Sequence, residues 1–380
     1  MKRRWVPIAT ALLVLAGCAG VPPSAPPPWR DAEFAYDPAR VAVGKEELFR
    51  LPPDLAAQLR AIRATTPSPD ERQQRLTRLL FSAGGEGFFY RTGQSTLAAQ
   101  TWQDKRGDCL SLTVLAYAMA RELGLPATMQ DVRVPMQIDR RGEIDYLNRH
   151  VNVLIPQAAA APASRSWSRI ESLVIDFEPA VGSFRVGTPL TDDGVLARYY
   201  NNRGAEHYAR GEQAAAYAYY KAALLTDRSF TAAYGNLAQL YLRRGYADDA
   251  ERLLRQAVAL SDEADLALWS LHRLLLAQGR TDEATQIAQL QQARRDRDPY
   301  YWLGVGAERI RQQDWPAAIA ALERAQALTT GFDEVHRYLA LAYWRAGDAP
   351  RARAQWARLE GRPGRDPAFV ALAKKIDSAP

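Results

Sequence analysis

The sequence has 380 residues, 47% of them hydrophobic, with 49 Lys and Arg against 43 Asp and Glu and a net charge of +6. That is chain for two to three domains with ample core. Charges of both signs are spread along it with no concentrated basic run, which argues against nucleic acid as a partner and leaves only a mild preference for acidic ones. At the N-terminus Lys2, Arg3 and Arg4 precede an apolar run from Val6 to Ala16, too short to span a bilayer and shaped like an export signal. Val21-Pro22-Pro23-Ser24-Ala25-Pro26-Pro27-Pro28 then reads as an extended tether that lifts the body off its anchor point, and the linker is placed at residues 18–33.

Leu15-Ala16-Gly17-Cys18 resembles the lipobox of bacterial lipoproteins. The resemblance implies removal of residues 1–17 and acyl chains (palmitate) on Cys18. Several chains, at about 0.8 kcal/mol per buried CH₂, make a stable anchor in a lipid bilayer. Ala19 stands where an Asp would imply inner-membrane retention, so the expected location is the outer membrane, facing the periplasm. With Cys18 acylated, Cys109 has no disulfide partner in a compartment that oxidises thiols. A leftover thiol there is packed, intermolecular or functional.

Residues 34–190 read as the first folded region. Lys45 to Ala64, Pro69 to Phe81 and Ser95 to Lys105 have helical periodicity. Ala83-Gly84-Gly85-Glu86-Gly87 is a break without the Lys-Ser/Thr of a phosphate loop. Gly107-Asp108-Cys109 opens an apolar helix that runs through Ala120 and stops at Gly124-Leu125-Pro126. Thr128 to Val134, Arg149 to Ile155 and Ser172 to Phe177 read as three antiparallel strands, with a small-residue loop at Ala158 to Arg165. A helical half followed by a sheet is an α+β domain. A cysteine in the first turn of a helix sits at the positive end of the dipole, where free amides favour the thiolate and can bind an oxyanion. The bland alternative is a small packed core residue.

His150 is the one histidine of this region, at the start of a predicted strand, and Asp176 places a carboxylate in the apolar run of the next. A buried carboxylate needs a partner. Nucleophile, base and orienter in this order make a sensible triad. Gly107-Asp108-Cys109, the helix ending Ala120-Arg121-Glu122-Leu123-Gly124-Leu125-Pro126-Ala127, then His150 and Asp176 resemble the bacterial transglutaminase-like superfamily, over a core of about residues 90–180. The resemblance implies a papain-like core with Cys109 as nucleophile, His150 as base and Asp176 as orienter. Asn152, two places after the histidine where an aromatic is usual, and Phe177, after the aspartate where Pro or Thr is usual, depart from the family and bear on substrate contacts. An oxyanion hole needs the Cys109 N–H and one more donor, for which Gln100 and Gln103, with Trp102 beside them, are candidates. One Cys, one His and one Asp could also be a ligand set. The helix-start position of Cys109 and the lack of further Cys or His nearby favour the triad, with no metal and no cofactor expected.

From Ala197 the texture changes. Rows of 34 residues beginning at Ala197, Thr231, Asp265, Pro299 and Asp333 align without a gap. One column reads Ala216, Ala250, Ala284, Ala318, Ala352; another Gly211, Gly245, Gly279, Gln313, Gly347; a third Tyr200, Tyr234, Leu268, Trp302, His336. This is the tetratricopeptide pattern of helix, glycine turn, helix. Arg203 and Arg309, at usually apolar or aromatic places, mark the first and fourth rows as less typical, and His207, His272 and His336 read as residues of the repeats. The array is placed at 197–366, with a capping helix and tail at 367–380. The expected architecture is an α+β papain/transglutaminase-like domain followed by an all-α superhelix. The leading functional expectation is a cysteine-dependent acyl-transfer enzyme, a protease or amidase acting on peptide or isopeptide amides, whose repeat groove holds a protein substrate or partner. The alternative is a scaffold lipoprotein with a degenerate first domain.

Overall fold

The computed structural model describes residues 26–81, 88–91, 93–132, 138–141, 144–147, 150–156, 172–177, 187–262, 264–329, 333–359 and 367–377. The export signal with Cys18, the 83–87 break and the 158–165 loop lie outside the described residues. Helices α1 (Lys45–Phe49), α2 (Pro53–Thr65) and α3 (Pro69–Phe81) open the folded chain, each with carboxylates in its first turn where the helix dipole favours them. Strand β1 (Phe89–Tyr90), helix α4 (Ala98–Asp104) and strand β2 (Arg106–Gly107) follow, β1 and β2 pairing in parallel. They lead directly into α5 (Cys109–Glu122). Apart from Tyr117, every residue of α5 from Leu110 to Ala120 is buried, because α1 to α4 and a sheet all pack on it. A helix that is apolar all round belongs in a core.

The sheet comes next in the chain: β3 (Thr128–Val132), the hairpin β4 (Ile138–Arg141) and β5 (Ile144–Leu147), then β6 (His150–Pro156), β7 (Ser172–Ile175) and β8 (Thr188–Pro189). The main sheet has the order β7-β6-β3-β8, with every pair antiparallel. Its three longer strands are those expected from the sequence. β6 runs on to Pro156, and β7 stops at Ile175, so Asp176 follows the strand instead of lying inside it, while residues 133 and 134 lie outside the described residues.

The 34-residue period is visible in the backbone. The helices are α6 (Asp192–Ala209), α7 (Gln213–Thr226), α8 (Thr231–Arg243), α9 (Ala247–Leu260), α10 (Asp265–Ala277), α11 (Thr281–Asp296), α12 (Pro299–Arg311), α13 (Trp315–Leu328), α14 (Asp333–Arg345) and α15 (Ala349–Ala357). The second helix of each pair begins at residue 213, 247, 281, 315 or 349. A final helix, α16 (Pro367–Asp377), packs Phe369, Leu372 and Ile376 onto the last pair. Only α6 departs from the expected row, beginning at Asp192, where Thr191 caps it through the Gly194 amide. The small-residue columns mark close helix crossings. A Cβ at Gly204 would sit 2.6 Å from the Tyr220 ring, and one at Gly306 2.4 Å from Leu322.

The turns inside the hairpins need the left-handed region. Gly211, Gly245, Gly279 and Gly347 take φ of +79°, +81°, +72° and +84°, and Gln313 is held at +60° in the fourth repeat. A side chain with a Cβ is strained there. Gln313→Gly is therefore expected to stabilise the protein by about 0.5–1 kcal/mol. A urea titration checks this, and an unchanged or lower midpoint would show that the turn carries no strain.

One apolar cluster runs from Phe34 through α5 and the sheet into the first three repeats, ending at Ala284. A second holds the fourth and fifth repeats and α16, joined by Val132 at the end of β3. Between them α11 buries only Ala284.

The described part of the segment expected to be tether, residues 26–33, is docked on the repeats. Residues 31–35 form turns, and Phe34, 3% exposed, stacks on Tyr217 with ring centres 4.6 Å apart and on Tyr241 at 5.7 Å. Tyr241 Oη donates to the Pro28 carbonyl, the Arg30 amide donates to Tyr217 Oη, and Arg30 Nε pairs with Asp249. Asp31 accepts from Lys221 and Tyr217. Proline content suggested a spacer, but Trp29, Phe34 and Tyr36 supply aromatic surface that the tyrosines of the repeats cover.

Candidate active site

Cys109 is the first residue of α5. Gly107 precedes it because a Cβ there would lie 2.8 Å from Ser111 Cβ and 3.3 Å from Thr101. Asp108 is the N-cap, its Oδ1 accepting from the Ser111 amide at 2.7 Å and from Ser111 Oγ at 2.5 Å. Ser111 Oγ in turn accepts from the Thr96 amide at 2.8 Å. The cap takes the third amide of the helix, and the N–H groups of the first turn, that of Cys109 included, point out of its N-terminal end.

His150 and Asp176 meet through sheet register. Val153 pairs with Ile175, so continuing the ladder sets Asp176 opposite Asn152 and diagonal to His150, on the same face. Asp176 Oδ2 accepts from His150 Nε2 at 2.7 Å, and His150 Nδ1 lies 3.4 Å from Cys109 Sγ. The three side chains expected from the sequence are thus linked in one chain. His150 is 3% exposed. Burial opposes its charge, but the hydrogen bonds to Asp176 and Cys109 outweigh it and raise the imidazole pKa to about 10. With Asp176 holding Nε2, Nδ1 is the nitrogen that exchanges a proton with the thiol.

Cys109 Sγ is also 3.3 Å from the Val151 carbonyl, which receives Thr113 Oγ1 at the same distance. Asn152, the place where an aromatic is usual in the resembling family, is fully buried, and its side-chain oxygen accepts from Gln130 Nε2 at 2.8 Å. Phe177 packs on Phe81 with ring centres 5.3 Å apart.

The suggested oxyanion donors are placed differently. Gln100 is exposed on α4, with its side-chain oxygen facing the Leu97 amide. Gln103 is exposed on the same helix, and Trp102 packs under Lys105, whose ammonium lies 3.2 Å from the ring centre. Among the described residues no hydrogen bond joins Gln100 or Gln103 to Cys109.

A polar group that sequence reasoning passed over stands behind Asp108. Ser95, 2% exposed, donates from Oγ to Asp108 Oδ2 at 2.5 Å. Asn202 Nδ2 donates to Ser95 Oγ at 3.0 Å, and the Ser95 amide donates to Glu206 Oε1 at 2.6 Å. Burial pushes the Asp108 carboxyl above its usual range, against the hydrogen bonds from Ser111 and Ser95. Burial likewise raises Glu206, against the Ser95 amide and Arg203, whose guanidinium lies 2.6 Å away. Of the repeat histidines, His207 pairs with Glu212 and His336 faces Gln355 at 2.8 Å. Among the described residues there is no group of three or more His, Cys, Asp or Glu placed to hold a metal ion, and no helix long and apolar enough to cross a membrane.

No family model and no curated protein sequence matches the chain. Among solved structures it is similar to MamA (21% identity, covering 44% of this chain and 93% of that one, TM-score 0.25). It is also similar to PilF of Pseudomonas aeruginosa (18%, 49% and 85%, TM-score 0.27). A third is YrrB, described as a TPR protein with an unusual peptide-binding site (18%, 47% and 92%, TM-score 0.24). These are tetratricopeptide-repeat proteins. At such TM-scores the likeness carries no argument, and the repeat assignment stands on the 34-residue columns and the helix positions.

Proposed function

We propose that the chain is a cysteine-dependent acyl-transfer enzyme of the transglutaminase-like superfamily that hydrolyses peptide or isopeptide amides, with its tetratricopeptide array holding the protein substrate or a partner. The single observation that carries this reading is the Cys109–His150–Asp176 chain at the first turn of a buried helix. His150 Nδ1 takes the Cys109 proton, and the thiolate adds to the amide carbonyl. The developing oxyanion is met by the Cys109 N–H at the helix end. As the tetrahedral intermediate collapses, His150 returns the proton to the departing amine, leaving a thioester. Water, deprotonated by His150, then releases the acid and restores the thiol. Asp176 keeps Nε2 occupied throughout, so that the working nitrogen stays Nδ1. Acylated at Cys18, the protein would work at the outer membrane, facing the periplasm.

The second reading is a non-catalytic repeat scaffold. The observation that favours it is the Val151 carbonyl, because a hydrogen bond from Cys109 Sγ to it needs the neutral thiol. Alkylation by iodoacetamide separates the two, using protein in which Cys18→Ser leaves Cys109 as the one thiol. The enzyme reading expects fast labelling at pH 6 that drops about tenfold or more in His150→Ala. Slow labelling in both folded proteins would leave the scaffold.

A further inference from the structure

The first repeat helix reaches into the site from behind. Asn202 and Glu206 lie one turn apart on α6, so both face the same way, toward Ser95. Ser95 is buried and uses both its amide and its hydroxyl: the amide on Glu206, the hydroxyl between Asn202 as donor and Asp108 as acceptor. Asp108 closes the path by capping the turn that begins with Cys109. Every link is 3.0 Å or shorter. A cap bound to only one helix can move with it; this one is fixed from both sides, between α5 and a helix of the array.

We propose that Ser95, Asn202 and Glu206 are positioning residues for Cys109, through which the first repeat holds the nucleophile's turn in register with His150. The proposal rests on the acyl-transfer reading above. Its physical basis is that Cys109 Sγ and His150 Nδ1 sit on different elements, a helix end and a strand, and nothing in either element alone fixes their separation. Movement of the cap turns the first residue of α5 first, since Cys109 follows Asp108 directly. The array is then part of the chemical centre and not only a handle for the substrate. Glu206 acts as an acceptor for the Ser95 amide, a role that a neutral carboxamide oxygen fills equally well.

The test is the rate of iodoacetamide labelling at pH 6.5 in the Cys18→Ser full chain, with folding followed by far-ultraviolet circular dichroism. Asn202→Ala and Glu206→Ala are expected to label about tenfold more slowly, and Glu206→Gln within about twofold of the parent. In a His150→Ala background neither alanine variant is expected to slow labelling further, because they act through the Cys109–His150 pair. Parent protein that labels fast and depends on His150, with both alanine variants within twofold of it, would overturn the proposal and leave the acyl-transfer reading intact. The same slowing with and without His150 would also overturn it, showing a structural effect only. A slow parent indifferent to His150→Ala would sink both.

Discussion

Asp176→Ala is expected to lower the stability of the folded chain by about 3 kcal/mol at pH 6, with the loss fading as the pH rises toward 10. The sign follows from His150. In the folded protein burial lowers its pKa, but the hydrogen bonds it makes to Asp176 and Cys109 outweigh that and raise it from 6.5 to about 10. A group raised on folding binds a proton that the unfolded chain gives up, so it stabilises fully below pH 6.5 and loses that contribution as pH climbs through about 10. Removing Asp176 takes from a buried imidazolium the carboxylate that stabilises its charge, which favours the deprotonated ring. Urea titrations of parent and variant at pH 6, 8 and 10 should show two stabilities that converge with pH. A gap independent of pH would mean that the pair is a neutral hydrogen bond and that His150 does not hold a charge in the resting protein.

Phe34→Ala should cost about 3–5 kcal/mol, although the residue directly follows the segment that composition assigns to a linker. Its ring stacks on Tyr217 and on Tyr241, with Tyr246 edge-on at 6.2 Å. Truncation opens a cavity among three tyrosines, two of which, Tyr217 and Tyr241, are tied down by hydrogen bonds to Pro28, Arg30 and Asp31. Tryptic cleavage after Arg30 is the sensitive readout, since Arg30 is protected only while the segment stays docked on Asp249. If thermal stability and cleavage both match the parent, the segment is seated by its ion pairs and not by the aromatic stack.

How much of this was legible differs by element. The repeats were, because the 34-residue columns record helix crossings and turns that the backbone repeats in every unit; even the exception, Gln313, shows as the gap in the glycine column. Cys109, His150 and Asp176 were legible as types in order, because a Gly-Asp-Cys helix start and two β-branched runs carry local signals. Their distance was not, since it comes from a strand register set by residues 172–175 against 153–156. Strands of two residues, such as Phe89–Tyr90 and Thr188–Pro189, have no period to read. Ser95, Asn202 and Glu206 are polar residues whose spacing marks them as solvent-facing, and only the docking of α6 buries them together. Gln100 shows the reverse: its position near the cysteine suggested an oxyanion donor, while its side chain serves its own helix.

The split between the two apolar clusters sets the mechanics of the array. In a chain of repeats stability is a sum of units and the couplings between neighbours, and the coupling across α11 is the weak one, carried by a helix with a single buried alanine. Repeats one to three are expected to unfold with the first domain as one cooperative unit, and repeats four and five with α16 as another. Among the described residues one brace crosses from the distal unit to the sheet, Val132, which pairs across the ladder with His150. A load that opens the superhelix at α11 is therefore delivered to the strand next to the one that carries the base.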